Sequence, residues 1–255
     1  VPIGKVILDN ESSKVGLWGM FNDFFSGKSL LRICANMMDE SNKEGITLND
    51  LVEKSKIVMY ENNLSSLKGF PNDVESESSV GRLVYHFLAG FHKMGLFEAR
   101  FIGTSEREVI WNESWDNILI IPTQKGLEFA RLKNRVFDEH DYENQTFTEE
   151  EIKWMIKYLI EIDKQGFKEY TLLSQIVSFL KKGNNGNKDL WTWFKNKPEF
   201  VDYIKKWSSK SNNPKAFEKQ ILNLSQTFSS GKISLLRELG IIKNKRNDYT
   251  VIREI

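Results

Sequence analysis

One pattern occurs twice in this chain and constrains its fold more than any other feature. An amphipathic helix runs to a Gly, and alternating residues begin at once behind it. The first copy is VGRLVYHFLAGFHKMGLFEARFI, residues 80–102, and the second is SSGKISLLRELGIIKNKRNDYTVI, residues 229–252. In the first, Leu83, Val84, Phe87, Leu88, Phe91 and Met94 form a helical apolar stripe that Gly95 stops. Phe97, Ala99 and Phe101 then alternate with Glu98 and Arg100, which is strand spacing. A chain that delivers helices straight into hairpins twice is α+β, mostly helical, and built of two similar modules.

At 255 residues the chain has room for two ordinary domains. Its 40% hydrophobic and 28% charged residues fit a folded protein, not a disordered one. No apolar run approaches the roughly 20 residues a membrane span needs. The opening VPIGKVILDNESSK lacks the regions of a secretory signal, and Cys34 is the single cysteine. A reducing cytoplasm and no membrane partner are therefore expected. The net charge of +1 conceals polarity. Residues 1–150 carry 16 Lys+Arg against 24 Asp+Glu, whereas residues 151–255 carry 20 against 11. The C-terminal part is thus the one suited to a polyanion.

Local signals place the remaining elements. The aromatic stretch with Leu17, Trp18, Met20, Phe21, Phe24 and Phe25 is expected to pack on the first domain. A helix is predicted over residues 28–41, and another from Leu48, headed by Thr47 with Asp50. NILII returns as a strand, and a closing helix starts at Pro122 or Thr123. DEHDYENQ, residues 138–145, reads as the linker, giving domains over 1–140 and 146–255. Thr148 and Glu151 form a capping box for the next helix. Helices follow near residues 172–182, over the Trp-rich stretch from Asp189 to Trp207, and from Pro214.

FHKMGLFEARF followed by ILIIPTQKGLEFARL resembles the recognition-helix end, wing and closing helix of winged-helix transcription regulators. Thr123 and Gly126 match the family's Thr-x-x-Gly helix start, and LLRELGIIKNKRNDYTVI resembles the same helix-to-wing piece. The resemblance covers about a third of the chain and implies two winged-helix (winged helix-turn-helix) domains that bind double-stranded DNA. Two features depart from the pattern. The connection before the first repeated helix is longer than a tight turn, and it carries Glu61, Asp73, Glu75 and Glu77, which repel phosphates. The first module is accordingly also a candidate protein-binding surface. Tandem winged helices also resemble the recognition half of some type IIS restriction endonucleases, which implies a recognition fragment of a larger enzyme as an alternative.

In the second module, Lys243, Lys245 and Arg246 surround one hairpin turn. Lys232 and Arg237 lie on the helix before it, with Lys215 and Lys219 further upstream. A basic wing beside a basic helix is what phosphate contact requires. Ser229, Ser230 and Asn244 would add hydrogen bonds. The weaker candidates in the first module are Arg82, Tyr85 and His86 on the helix and Arg100 and Arg107 in the wing.

Catalytic patterns fail on inspection. SGKSLL lacks the upstream Gly of a phosphate-binding loop, because Asn22 stands there. Glu151 to Lys153 gives the letters of a nuclease Glu-x-Lys, yet at a helix start, where a carboxylate serves the helix dipole. His86 and His92 sit about 240° apart on a helix and cannot share one metal. Asp138, Glu139, His140, Asp141 and Glu143 have ligand chemistry but the composition of a linker. Neither a cofactor nor a catalytic centre is expected. The Trp-rich stretch interleaves with Lys195, Lys197, Lys205 and Lys206, as single-strand stacking would need, but core packing explains it better.

Overall fold

The computed structural model describes residues 24–61, 91–92, 94–101, 117–141, 146–184, 186–207, 212–245 and 248–255. The protein is α+β and mostly helical. It divides into two compact units, one containing Asp23–Glu151 and the other Ile152–Ile255.

In the first unit, α1 (Phe24–Ser41) leads through β1 (Ile46–Thr47) into α2 (Leu48–Glu61). Leu30, Leu31, Ile33 and Cys34 on α1 and Leu48, Leu51 and Val52 on α2 are buried. The Thr47 hydroxyl accepts the Asp50 N–H at 3.1 Å, so the cap read from sequence forms. α1 begins four residues before its expected start. Lys28 is a buried member of the helix, and its tertiary contacts outweigh the low propensity of Gly27. β2 (Phe97–Phe101) and β3 (Ile118–Pro122) pair antiparallel, with Phe97 opposite Pro122 and Phe101 opposite Ile118. β1 joins the other side of β3, giving the order β1-β3-β2. Two short helices follow, α3 (Gln124–Arg131) and α4 (Arg135–Glu139). Asp138 and Glu139, expected in a linker, are therefore helical. Asn134 caps this helix, and Asp138 takes the Asn134 N–H at 2.7 Å and Arg32 at 2.8 Å.

α5 (Glu149–Lys164) starts at the predicted capping box. Glu151 accepts the Thr148 N–H at 2.6 Å, while the Thr148 hydroxyl accepts the Glu151 N–H at 3.2 Å. In the second unit, α6 (Glu169–Lys181), α7 (Asn187–Lys195), α8 (Pro198–Trp207) and α9 (Pro214–Glu238) precede a hairpin of β4 (Ile242–Lys245) and β5 (Asp248–Val251). Gly186, just before α7, bridges antiparallel to Asp248. The bridge gives β5 a neighbour on the side away from β4, the arrangement that β1 provides for β3. Phe194, Phe200 and Phe228 join α7, α8 and α9 edge to face, with centroids 5.9 and 5.0 Å apart. The aromatic stretch thus contributes Phe194 and Phe200 to the core.

The repeated pattern is one device used twice. Leu96 N–H donates to Phe91 C=O at 2.8 Å and Gly95 N–H to His92 C=O at 2.9 Å. Ile241 donates to Leu236 and Gly240 to Arg237, both at 2.9 Å. These are the paired bonds of a Schellman cap, with Gly95 at φ +72° and Gly240 at φ +62°. The strand begins two residues after each Gly, at Phe97 and Ile242. Most of the first repeated helix lies outside the described residues.

The Thr-x-x-Gly start of α3 locks onto this junction. Thr123 Oγ1 donates to Gly95 C=O at 2.8 Å and accepts the Gly126 N–H at 3.1 Å. The Thr123 N–H reaches Leu96 C=O at 3.0 Å. A Cβ on Gly126 would lie 1.8 Å from that same carbonyl, so only Gly permits the contact.

Candidate nucleic-acid interface

α9 opens with Asn213 as its cap, whose side chain accepts the Ala216 N–H, and with Pro214 in its first turn. Its apolar stripe buries Ile221, Phe228, Ile233, Leu235 and Leu236. Opposite runs a line at helical spacing: Lys215, Lys219, Asn223, Gln226, Ser230, Ser234 and Arg237. Lys215, Lys219, Asn223, Ser230 and Arg237 are exposed, and Gln226 and Ser234 are half-buried. No carboxylate lies on this line. Glu218, to one side, is held by Lys195 at 2.8 Å, and Glu238, to the other, accepts the Ser234 hydroxyl at 3.1 Å.

The hairpin of β4 and β5 follows α9 directly. Lys243 and Asn244 are exposed on β4, opposite Thr250 and Tyr249, and Lys245 lies in register with Asp248. Tyr249 is buried and its hydroxyl pairs with the Asn187 side chain. Burial raises the Tyr249 phenol, while the Arg237 charge and the Asn187 bond lower it. Arg237, near the C-terminal end of the exposed line, is thus close enough to Tyr249 on β5 to act on its charge.

Two predicted contact residues are corrected. Lys232 is 1% exposed and its Nζ donates to Glu169 Oε1 at 2.5 Å. Burial pulls its ammonium down, with the Glu169 carboxylate opposing. Ser229 is 2% exposed and donates to Gln226 C=O at 3.0 Å. Neither faces a partner, because both stand on the apolar side of α9. Lys215, Lys219, Ser230 and Arg237 do share one face of α9, and Lys243 and Asn244 are exposed on the hairpin that follows it. In the first unit Arg100 occupies β2 opposite Leu119. Arg82, Tyr85, His86, Arg107 and Arg246 lie outside the described residues.

Lys28, from the sequence that mimics a phosphate loop, is also interior. It is 1% exposed, pairs with Glu151, donates to Leu132 C=O at 3.1 Å and lies 5.1 Å from the Phe129 ring centroid. Asn134 Nδ2 adds a 3.0 Å bond to the same Glu151 carboxylate. Burial first, then Arg32, lower the Lys28 ammonium to about 7, against the pull of Asp138 and Glu150. Glu151 thus closes the cap of α5 and pairs with Lys28. Among the described residues no three His, Cys, Asp or Glu side chains gather as metal ligands. None of the described helices is long and apolar enough to cross a membrane.

No family model, curated protein or solved structure matches this chain. The surface must therefore be read from its own chemistry.

Asn223 and Gln226 on this line, and Thr227 beside it, are not among the contact residues expected from sequence. Periodicity held the signal: all three fall off the stripe of Phe217, Ile221, Leu224 and Phe228.

Proposed function

We propose that this protein binds double-stranded DNA through two winged-helix modules, with the basic C-terminal unit supplying most of the affinity. The observation that carries the reading is the carboxylate-free line on α9 running toward a hairpin that exposes Lys243 and Asn244. An exposed helix face about 10–12 Å across, side chains included, suits a major groove about 12 Å wide. Cations at its ends and on the hairpin suit the flanking phosphates.

Topology supports the winged-helix assignment. The first unit runs α1, β1 and α2 and, after the Gly95 cap, two strands, in the sheet order β1-β3-β2. In the second, Gly186 takes the place of the short strand, α7 and α8 follow, and α9 ends at the Gly240 cap before its two strands. Titrating a labelled duplex at 50–200 mM salt tests the reading. Affinity should fall with a log–log slope of about −0.9 for each phosphate engaged. A flat slope, or no binding at 50–100 mM salt, would sink it.

A second reading is a protein-interaction scaffold, favoured by the acidic excess of residues 1–150. Reversing Lys243, Lys245 and Arg246 to Glu separates the two. A DNA binder is crippled, whereas a scaffold working through its first unit keeps its partner.

A further inference from the structure

We infer that Asn223 and Gln226 on α9 select adenine, with Leu222 beside them reading the methyl group of the paired thymine. The inference rests on the DNA-binding reading above and assigns the base chemistry within it.

The exposed line of α9 is divided by chemistry. Lys215 and Lys219 stand at one end and Arg237 at the other, while the middle is uncharged. In that middle the hydroxyls are committed to the helix itself. Thr227 Oγ1 donates to Asn223 C=O at 3.1 Å and Ser230 Oγ to Gln226 C=O at 2.8 Å. The Asn223 and Gln226 side chains have no hydrogen-bond partner among the described residues. Each presents a carbonyl acceptor and an amino donor together at the surface.

That donor–acceptor pair discriminates among bases. Adenine offers N7 as acceptor beside the N6 donor, which a carboxamide matches with two bonds. Guanine offers two acceptors, N7 and O6, and suits Arg or Lys. Three helical residues advance about 4.5 Å along the axis. The two amides therefore reach the same or neighbouring base pairs, which are stacked about 3.4 Å apart. A second feature points the same way. Leu222 is 39% exposed, one of three exposed large apolar side chains among the described residues, and lies beside Gln226 and Lys219 on the helix surface. An A·T pair presents the adenine edge and the thymine methyl group together in the major groove.

The test is selection of bound duplexes from a random pool by the full chain, followed by titration of the enriched site. Adenine should be enriched at one or two positions. N223A or Q226A should reduce the preference there by roughly 5- to 150-fold and leave the salt slope unchanged. K219A should do the reverse, lowering the slope by about 0.9 and keeping the preference. Replacing thymine by deoxyuridine opposite the selected adenine should weaken the native protein and leave L222A indifferent. These side chains are exposed or half-buried, and matching thermal melts will confirm that the variants fold. Selection of guanine, a preference that survives both amide substitutions, or salt-dependent binding without preference overturns the inference while leaving DNA binding intact. No binding to any duplex at 50 mM salt overturns the underlying reading as well.

Discussion

Two buried lysines show how strongly position outweighs charge at a single residue. Lys232 follows Phe228 by four residues and precedes Leu236 by four, so it stands on the apolar stripe of α9, where Glu169 meets it. Removing one member of a buried pair leaves an uncompensated charge, which typically costs about 3–5 kcal/mol. Lys232→Met should therefore lower unfolding free energy by that amount in urea titrations. The double substitution Lys232→Met/Glu169→Leu should recover most of it. If the single variant is nearly neutral, the lysine is not buried against the carboxylate. Lys28 adds a pH signature. Its ammonium is lowered from 10.5 to about 7 by burial, so between those values the unfolded chain binds more protons than the folded one. Stability from this group is therefore lowest below about 7 and rises as pH increases toward 10.5. Against a Lys28→Met/Glu151→Gln reference, the native protein should gain relative stability between pH 7 and 9.5. A difference that falls over that range would contradict the burial.

At the scale of elements, the Gly-stopped helices and the Thr-x-x-Gly start carry most of the register. Gly240→Ala places a Cβ in the left-handed region and should cost about 1–2 kcal/mol. Gly126→Ala should cost more, since its Cβ lands on the Leu96 backbone and no side chain can yield. Comparing the melting temperatures of the two variants checks the ranking. Equal losses would show that α3 slides away from the β2 junction without penalty. Features like these were legible in the sequence because their causes are local: Thr123 caps α3, Thr148 and Glu151 box α5, and Pro214 opens α9. The exposure of Lys243 and Asn244 on the hairpin was legible for the same reason. Tertiary partners were not. Nothing near Lys28 in the chain announces Glu151, and nothing near Lys232 announces Glu169. Residue type without helical phase places Lys232 and Ser229 on the outer face and leaves out Asn223 and Gln226, which the helical period puts there.

Over the whole molecule, each of the two units has its own buried core, and Cys34 offers a probe confined to the first. Its thiol is 0% exposed, and burial raises it to about 12, so the reactive thiolate is scarce in the folded state at pH 8. As the single cysteine in the chain, it gives an unambiguous count. A chromogenic disulfide reagent should detect essentially no thiol in the native protein and one in denaturant. Half-buried Trp193 belongs to the second unit, where Lys197 Nζ lies 4.2 Å from its ring centroid. The difference between the native protein and Trp193→Phe therefore isolates the fluorescence change of Trp193, one of the tryptophans of that unit. The basic C-terminal unit is the proposed carrier of DNA affinity, and a bound ligand stabilises what it binds. A duplex in excess should raise the midpoint of the Trp193-dependent transition. The midpoint of Cys34 labelling should move less, or not at all. A larger shift at Cys34 than at Trp193 would transfer the binding surface to the acidic unit and reverse the division of labour proposed for the two halves.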